Sequence, residues 1–305
     1  MILETKRLLL RPWEESDAEE CYRYAKDPQV GPIAGWPVHT SVENSRQIIR
    51  DVLMVPETYA IVLKETGLPI GSIGLHHNDL AEKDDEAELG YWLGVPYWGQ
   101  GMVPEASREV LRHAFEDLKL ERVWCAYYDG NEKSRRVQEK LGFRYQWTSE
   151  EVPVRQMGEV REGYVNLLTK TEWRIDRLLE TPYWIIDILP KQVPKNSPGQ
   201  YPSVEQFFLK SYVIAEKKTE ILLKLNCYYD LQIVTEKEEL TNPAPEVLAN
   251  LIRTDCFNIL VSNALMATDF QDTYMTLYNP DNNLLSLVRQ LAASAGLFVW
   301  KPEGA

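Results

Sequence analysis

The sequence predicts a mixed α/β fold, in which a mixed central sheet is flanked by helices and followed by a smaller α+β domain. The 305 residues exceed one average domain of roughly 150 residues. Strand-like and helix-like segments alternate up to about residue 174. Four prolines between Pro190 and Pro202 exclude a helix or a central strand, which favours an interdomain linker over a long irregular loop. We therefore expect an α/β domain over 1–174, a connecting segment with a Pro-rich linker over 175–202 and an α+β domain over 203–305.

The alternation is specific enough to place each element of the first part. Strand character is found in seven short segments: 7–12, 59–63, 70–75, 88–93, 122–127, 143–147 and 164–168. Capping boxes at Ser16-x-x-Glu19 and Thr40-x-x-Glu43 predict the first two helices. Apolar residues at helical spacing predict a third helix over 104–118. A fourth helix is predicted over 131–141, with Gly142 as the residue that ends it.

The last part of the chain is predicted from weaker patterns. Its segments are an apolar run at 184–189, helices at 203–226, 245–253 and 282–295, and strands at 257–264, 274–278 and 297–300. This part resembles no family that we recognise, and it shows no metal-ligand spacing, no nucleophile–base pair and no glycine-rich phosphate loop. Its candidate roles are substrate recognition, dimerisation and partner binding.

Composition narrows the class of protein. With 44% hydrophobic and 26% charged residues, the chain can build ordinary cores. A net charge of −13 argues against nucleic-acid binding, because binding phosphates requires a basic surface. No apolar run approaches the roughly 20 residues of a membrane-spanning helix, and the amino terminus lacks the apolar region of a secretory signal. We therefore expect a cytoplasmic protein with no nucleic-acid or membrane partner.

The cysteines predict neither a disulfide framework nor a metal site. They are widely spaced and include no Cys-x-x-Cys pair, which favours free buried thiols in a reducing cytoplasm: Cys21, Cys125, Cys227 and Cys256. No metal is expected.

A glycine loop stands between the strand at 88–93 and the helix at 104–118. Gly99 and Gly101 let the backbone approach a ligand, because no Cβ stands in the way. The free N–H groups at the start of the following helix form an anion site suited to a pyrophosphate. The loop is not a P-loop, because no Gly-Lys-Ser/Thr follows, and it lacks the third glycine of a dinucleotide fingerprint. A tight structural turn is the alternative.

Three motifs in order and at suitable spacing give the first 174 residues a family resemblance. They are Leu3–Pro12, Tyr97-Trp-Gly-Gln-Gly101, and Asn131-x-x-Ser134 followed by Leu141-Gly-Phe143. This part of the chain resembles the GNAT acetyltransferases, and specifically their RimJ/RimL-like branch. The resemblance implies a GNAT fold with acetyl-CoA as cosubstrate.

The resemblance also implies positions for the cofactor. The CoA pyrophosphate would be held by the backbone amides of Gln100, Gly101, Met102 and Val103. The pantetheine arm would pair with the splayed strand end formed by Trp92, Leu93 and Gly94. Asn131 would hydrogen-bond the pantetheine, and Ser134 would lie near the sulfur and protonate the leaving thiolate. Val103 and Pro104 depart from the family pattern, so the Val103 side chain is expected to narrow the approach to the phosphates.

The acyl-transfer chemistry needs a base, because an attacking amine must lose a proton. Glu88 is the first candidate, acting directly or through water, since a carboxylate on an apolar strand is unusual and burial would raise its pKa. Strand alternation places Glu88, Gly90 and Trp92 on one face. A structural hydrogen bond or ion pair is the alternative role for Glu88. His76 and His77, at the end of the preceding strand, are the second choice.

Other segments around the predicted site have less specific patterns. The acidic run at 79–86 would either attract a cationic substrate or form a solvated loop. The segment 31–37, which includes Trp36, would line the acceptor site or form an ordinary packed loop. Arg135 and Arg136 would reach the CoA 3′-phosphate or remain exposed helix charges, and Arg136 is included in the predicted cofactor site.

Together these features predict an acetyl-CoA-dependent N-acetyltransferase. The acceptor would be a primary amine, either a protein N-terminus or a small molecule. Direct transfer is expected, because no cysteine has an activating partner nearby in the sequence. The alternative is a non-catalytic acyl-CoA-binding sensor whose C-terminal domain binds a partner. A homodimer is possible in either case.

Overall fold

The computed structural model describes residues 1–194 and 196–302. By Cα proximity the chain divides into two compact units, Met1–Trp173 and Arg174–Ala305. Within the described ranges, no helix has both the length and the apolar character needed to cross a membrane.

The first unit is built on an eight-stranded sheet with the spatial order β1-β2-β3-β4-β5-β6-β8-β7. The strands are β1 (Leu3–Glu4), β2 (Leu8–Pro12), β3 (Thr58–Leu63), β4 (Leu68–His76), β5 (Glu86–Leu93), β6 (Arg122–Tyr128), β7 (Arg144–Val154) and β8 (Glu159–Thr169). Neighbouring strands are antiparallel except β5 and β6, which are parallel. The sheet is therefore mixed, which confirms the predicted fold class.

Helices cover the sheet of the first unit. They are α1 (Ala18–Ala25), α2 (Val42–Ile48), α3 (Met102–Arg112), α4 (Glu132–Lys140) and the start of α5 (Lys170–Leu179). The predicted capping boxes are wrong in register. Glu14 and Asp17 form the box before α1, and Ser41 caps α2 by accepting from the Asn44 amide. Neighbouring acidic and hydroxyl side chains can serve as caps equally well, so the sequence pattern alone does not select among them.

Apolar side chains fill both faces of the sheet. On one face, Leu89 and Leu93 of β5 pack in a core with Val110 and Leu111 of α3. On the other face, Trp92 packs against a cluster that contains Ala18 of α1, Ala60 of β3, Trp13 and Ile49, the residue that follows α2. The predicted alternation along β5 is therefore present, and it directs Glu88 and Leu89 to opposite faces.

The second unit contains a seven-stranded antiparallel sheet with the order β11-β10-β12-β13-β14-β9-β15. The strands are β9 (Tyr183–Asp187), β10 (Gln232–Val234), β11 (Glu239–Thr241), β12 (Cys256–Val261), β13 (Ala264–Asp269), β14 (Met275–Tyr278) and β15 (Phe298–Trp300). The expectation that 175–202 only connects two domains is wrong for its first part. Residues 183–187 pair with both β14 and β15, because their apolar side chains can be buried inside a sheet. The segment 257–264, which is predicted as one strand, contains most of β12, a turn and the first residue of β13. The chain turns at Ser262, which has a φ of 53°, so that β12 and β13 form a hairpin.

Among the described residues, the second unit also contains the end of α5 and the helices α6 (Tyr201–Lys210), α7 (Val213–Asn226), α8 (Pro245–Thr254) and α9 (Asn282–Ser294). The single helix predicted over 203–226 is broken at Tyr212, whose φ of 57° is left-handed. Lys218 of α7 is 2% exposed, and its ammonium donates to the carbonyl oxygens of Asp269 and Asp272 over 2.8 Å each. Burial lowers the pKa of Lys218 to about 8. Lys218 thus fixes the loop between β13 and β14.

The four cysteines are free thiols, but only two of them are buried. Cys21 and Cys125 lie in the core of the first unit, whereas Cys227 and Cys256 are exposed. The expectation of buried thiols is therefore wrong for the latter two.

Candidate functional site

The two central strands of the first unit diverge after a short parallel pairing. β5 pairs with β6 only from Glu86 to Glu88, although β5 continues to Leu93. β6 meanwhile remains paired with β8 as far as Tyr128. The last five residues of β5 therefore present one backbone edge to a gap between the strands.

Peptide groups alternate along a strand, so the direction of one fixes the direction of the rest. The Trp92 carbonyl oxygen lies against Gly71 of β4, and the Gly94 amide donates to Ile70 over 2.8 Å. Both groups thus face β4. The backbone groups of Tyr91 and Leu93 consequently face the gap, where an added strand-like ligand would pair with them. Of the three residues predicted for the pantetheine, only Leu93 presents its peptide edge to the gap.

The glycine loop leads directly into α3. Gly99 and Gly101 both have a φ of 74°, a left-handed conformation that favours glycine, and Gly101 is the N-cap of α3. The first helical amides have no carbonyl within the helix to donate to, and the Met102 and Val103 N–H groups belong to this first turn. The Gln100 and Gly101 amides adjoin them, so all four predicted amides lie at one helix start. This arrangement suits an anion.

The loop is held in place by residues that the sequence analysis did not identify. Glu105, in the first turn of α3, accepts hydrogen bonds from the Thr5 hydroxyl at 2.7 Å and from the Arg7 backbone amide at 2.8 Å. The Arg7 guanidinium pairs with Glu105 at 2.7 Å and donates to the Gln100 carbonyl over 3.1 Å. The Gln100 side chain donates back to Pro96. Nearly a hundred residues separate Arg7 from this loop in the sequence, so no local pattern predicts the contact.

The expected narrowing at Val103 is not found. The Val103 side chain is 9% exposed and packs in the apolar core with α3, so it points away from the loop surface. Beyond the loop, Trp98 donates from its indole to the Leu93 carbonyl over 2.7 Å, and the Lys133 ammonium lies 3.5 Å above its ring. Trp98 therefore links the loop to the start of α4.

The two arginines predicted near the 3′-phosphate differ in their partners. Arg135 forms ion pairs with Glu132 and Glu139 on the surface of α4. Arg136 is exposed and forms no ion pair with any described residue. Arg136 rather than Arg135 is thus the better candidate for a phosphate ligand.

Substitution of Gly101 by alanine is expected to weaken acetyl-CoA binding at least tenfold, because the left-handed conformation strains any residue with a Cβ. Steric contacts do not add to this backbone strain, because a Cβ at residue 101 would meet only the Arg7 guanidinium, at 3.9 Å. Gly67 is a matched control, with a φ of 71° and nothing near its Cβ position. Both variants should lose about 1 kcal/mol of stability. If calorimetry gave the two variants equal dissociation constants for acetyl-CoA, the glycine loop would not be part of the cofactor site.

The start of α4 lies across the gap from β5. Asn131 caps α4 by accepting from the Ser134 amide at 3.2 Å, which leaves its side-chain NH₂ group to donate. The Ser134 hydroxyl lies 3.0 Å from the phenol oxygen of Tyr91. Burial raises the pKa of Tyr91 well above its ordinary value, so the phenol stays protonated. Tyr91 is a candidate site residue that the sequence analysis missed.

Glu88 lies on the face of β5 opposite Tyr91. The Asn78 side chain donates to its carboxylate. Burial raises the pKa of Glu88 above the ordinary value, despite this hydrogen bond, which acts in the other direction. A partly desolvated carboxylate of this kind is a stronger base than an exposed one. The structure thus gives Glu88 both a structural hydrogen bond and the electrostatics of a base.

The two histidines that are the second candidates for the base, His76 and His77, lie in different surroundings. His76 pairs directly opposite Glu88 in the β4–β5 register, and its ring lies over Gly74 and Gly90. Burial lowers the pKa of His76, which keeps the ring neutral and able to accept a proton. His77 is exposed and follows the end of β4.

Aromatic side chains surround Trp92 on the same face as Glu88. The ring of Trp92 lies 6.2 Å from Trp13 and 5.9 Å from Trp36. The loop that carries Trp36 also contacts the far strands, because Arg161 of β8 donates to the Pro32 carbonyl over 2.6 Å. This loop therefore covers the face on which Glu88 lies.

The predicted acidic run is divided between two environments. Asp79, Glu82 and Asp84 are exposed in the loop before β5. Glu86 is buried within β5, where it accepts from Arg122 at 3.0 Å and from the Trp124 indole at 2.9 Å. Burial acts to raise the pKa of Glu86, but these hydrogen bonds outweigh it and lower the pKa. Among the described residues, no group of three or more His, Cys, Asp or Glu side chains is arranged to hold a metal ion.

Comparison with known proteins agrees with this geometry. The family model of the acetyltransferase (GNAT) domain matches residues 7–144. The uncharacterized N-acetyltransferase p20 of Bacillus licheniformis is 31% identical over 147 residues, which is 47% of this chain and 82% of that protein. The putative ribosomal N-acetyltransferase YdaF of Bacillus subtilis is 36% identical over 113 residues, or 34% of this chain and 55% of YdaF.

A solved structure shows the same fold. The acetyltransferase (GNAT family) from Bacillus anthracis aligns with a TM-score of 0.51 and 24% identity, covering 56% of this chain and all of that one. The fold, the diverging strands and the sequence matches agree, and the chain belongs to the GNAT acetyltransferase family. The family predicted from the sequence motifs is thereby confirmed. The family model ends at residue 144 and does not reach the second unit.

Proposed function

We propose that this protein is an acetyl-CoA-dependent N-acetyltransferase that moves the acetyl group directly to a primary amine. The observation that carries the proposal is the gap between β5 and β6, which opens beside the glycine loop. A candidate base, Glu88, and a candidate acid, Ser134, lie on either side of β5. We expect the protein to act in the cytoplasm.

The residues around the gap fit acetyl-CoA. The left-handed glycines leave open space at Gly99, and the first amides of α3 suit a pyrophosphate. The edge of β5 at Tyr91 and Leu93 suits an amide-containing arm, and Asn131 has donors to spare beside it. When bound, acetyl-CoA supplies a thioester whose carbonyl carbon is open to attack by an amine.

Each side chain then has a defined task. Glu88 accepts the proton that the attacking nitrogen loses, directly or through water. The Tyr91 or Leu93 amide, facing the gap, donates to the carbonyl oxygen as negative charge develops there. Ser134 gives its proton to the departing sulfur as the carbon–sulfur bond breaks, and it regains one from water, which takes up the proton that Glu88 releases. One proton leaves the amine and one reaches the thiolate, so the products are an N-acetyl amine and the CoA thiol.

The test is thiol release from acetyl-CoA across a panel of amines. The panel holds peptides with a free N-terminus, polyamines, an aminoglycoside and small metabolic amines. Similarity to a putative ribosomal N-acetyltransferase makes the peptides the first choice. At least one amine should give saturable turnover at about 1 s⁻¹ or faster. Tight CoA binding without turnover on any amine would instead indicate an acyl-CoA-binding sensor.

A further inference from the structure

Two buried amides form a hydrogen-bonded chain that ends on the Ser134 hydroxyl. Asn166 of β8 donates from Nδ2 to Gln138 Oε1 over 2.7 Å, and Gln138 donates from Nε2 to Ser134 Oγ over 3.1 Å. Gln138 is 1% exposed and Asn166 is 7% exposed. Gln138 is the buried residue of α4, a helix whose other side chains are half-buried or exposed. A buried amide is costly unless it is hydrogen-bonded, and here both amides are hydrogen-bonded to each other or to Ser134.

Donor and acceptor chemistry fixes the direction of each bond. Gln138 Nε2 also lies 3.3 Å from the Ala126 carbonyl oxygen, which can only accept. The Gln138 nitrogen must therefore face Ala126 and Ser134, while its oxygen faces Asn166. Ser134 accepts from that nitrogen, and its own single proton is left for a different acceptor. In this structure the Tyr91 phenol oxygen, at 3.0 Å, is in position to receive it.

We propose that Gln138, held by Asn166, is a positioning residue that keeps the Ser134 proton directed away from α4 and towards Tyr91 and the gap. The inference rests on the proposed function, because Ser134 has a proton to deliver only when a thiolate departs beside it. Gln138 touches no reacting atom in this scheme. Gln138 acts by donating to a lone pair of the Ser134 oxygen. This bond fixes the orientation of the hydroxyl, so that its proton points to another acceptor.

Gln138→Glu tests the direction of the bond with almost no change in shape. The new carboxylate can still accept from Asn166, but in its ionised form it cannot donate, so the Ser134 proton turns towards it. We expect kcat to fall about 100-fold at pH values where that carboxylate is ionised. Relative to the wild type at the same pH, activity should recover as the pH falls and the protonated carboxyl donates again. The KM for acetyl-CoA should stay unchanged, and a merely structural role would not produce this pH dependence.

Gln138→Leu provides a second variant in case the carboxylate impairs folding. It removes the donor without adding a competing acceptor, so kcat should fall about tenfold at every pH. In a Ser134→Ala background it should have no further effect on kcat, because the two residues would act as one unit. Gln146→Glu is the matched control, since it makes the same chemical change at an exposed position of β7.

A readout that needs no acceptor separates this inference from the proposed function. The thiol pKa of bound CoA can be followed by the ultraviolet absorbance of the thiolate. It should lie below that of free CoA in the wild type and in Gln146→Glu, and should rise in Gln138→Glu. Failure of the wild type to bind CoA would overturn the proposed function and this inference with it. Binding and turnover with the same thiol pKa and pH profile in both glutamate variants would overturn this inference alone.

Discussion

Replacement of Glu88 by glutamine is expected to lower kcat about 100-fold or more, which is the usual contribution of a positioned base. The amide keeps the size of the side chain and can still accept from Asn78, so the strand should not be disturbed. In the wild type, kcat/KM should rise with pH through the raised pKa of Glu88. This rise of kcat/KM with pH should be absent in Glu88→Gln, and initial rates measured across pH would show it.

The same substitution, Glu88→Gln, is expected to raise the stability of the protein although it lowers kcat. Because the folded-state pKa is raised, the stability from the protonated carboxyl is lost as the pH rises through that value. At neutral pH the ionised carboxylate is therefore a cost that Glu88→Gln removes, and the Tm should rise. A variant that loses activity while gaining stability would fit a residue kept for chemistry.

Glu86→Gln is the control for this experiment, two residues earlier on the same strand. Its folded-state pKa is lowered, so its ionised form stabilises the fold above the unfolded pKa. The variant should lose Tm at neutral pH while keeping kcat. Near-full activity of Glu88→Gln at all pH values would exclude Glu88 as the base, and His76 would then become the candidate to replace.

Replacement of Ser134 by alanine is expected to lower kcat about 100-fold, with little change in the KM for acetyl-CoA. The hydroxyl is the group beside the expected sulfur position, and the backbone that binds the cofactor is untouched. The variant should also lose about 1–3 kcal/mol of stability, because Tyr91 and Gln138 would each lose a hydrogen-bond partner. Steady-state rates and thermal unfolding measure the two effects separately.

Two further variants separate catalysis by Ser134 from its packing. Ser107→Ala removes a fully buried hydroxyl of α3 that has no hydrogen-bond partner among the described residues, so activity should be unchanged. Ser134→Thr keeps the hydroxyl and should retain most of the activity if it folds. A Ser134→Ala variant with wild-type kcat and lowered stability would reduce Ser134 to a structural role.

The parts of the site that could be predicted from the sequence are local in the chain. Gly99 and Gly101 are recognisable because a left-handed backbone at a helix start requires glycine. The face of Glu88 follows from strand alternation, and Asn131 is recognisable as a helix cap. In each case neighbours within a few residues decide the conformation, so the pattern carries the information.

The parts that were missed depend on residues distant in sequence. Tyr91 and Ser134 are 43 residues apart, and Gln138 and Asn166 are 28 residues apart. Their contacts arise from the packing of α4 against the sheet, which no local pattern describes. The break at Tyr212 was missed for a different reason, because a left-handed tyrosine has no recognisable sequence signal.

The proposed function depends on direct transfer of an acetyl group from CoA to an amine nitrogen. Its most direct test uses acetyl-CoA labelled in the acetyl carbons, with mass spectrometry of the amine and of the protein after a measured release of thiol. We expect one labelled N-acetyl group on the amine for each thiol released, and no label on the protein. Labelled cysteine, or thiol release without a labelled amine, would contradict it.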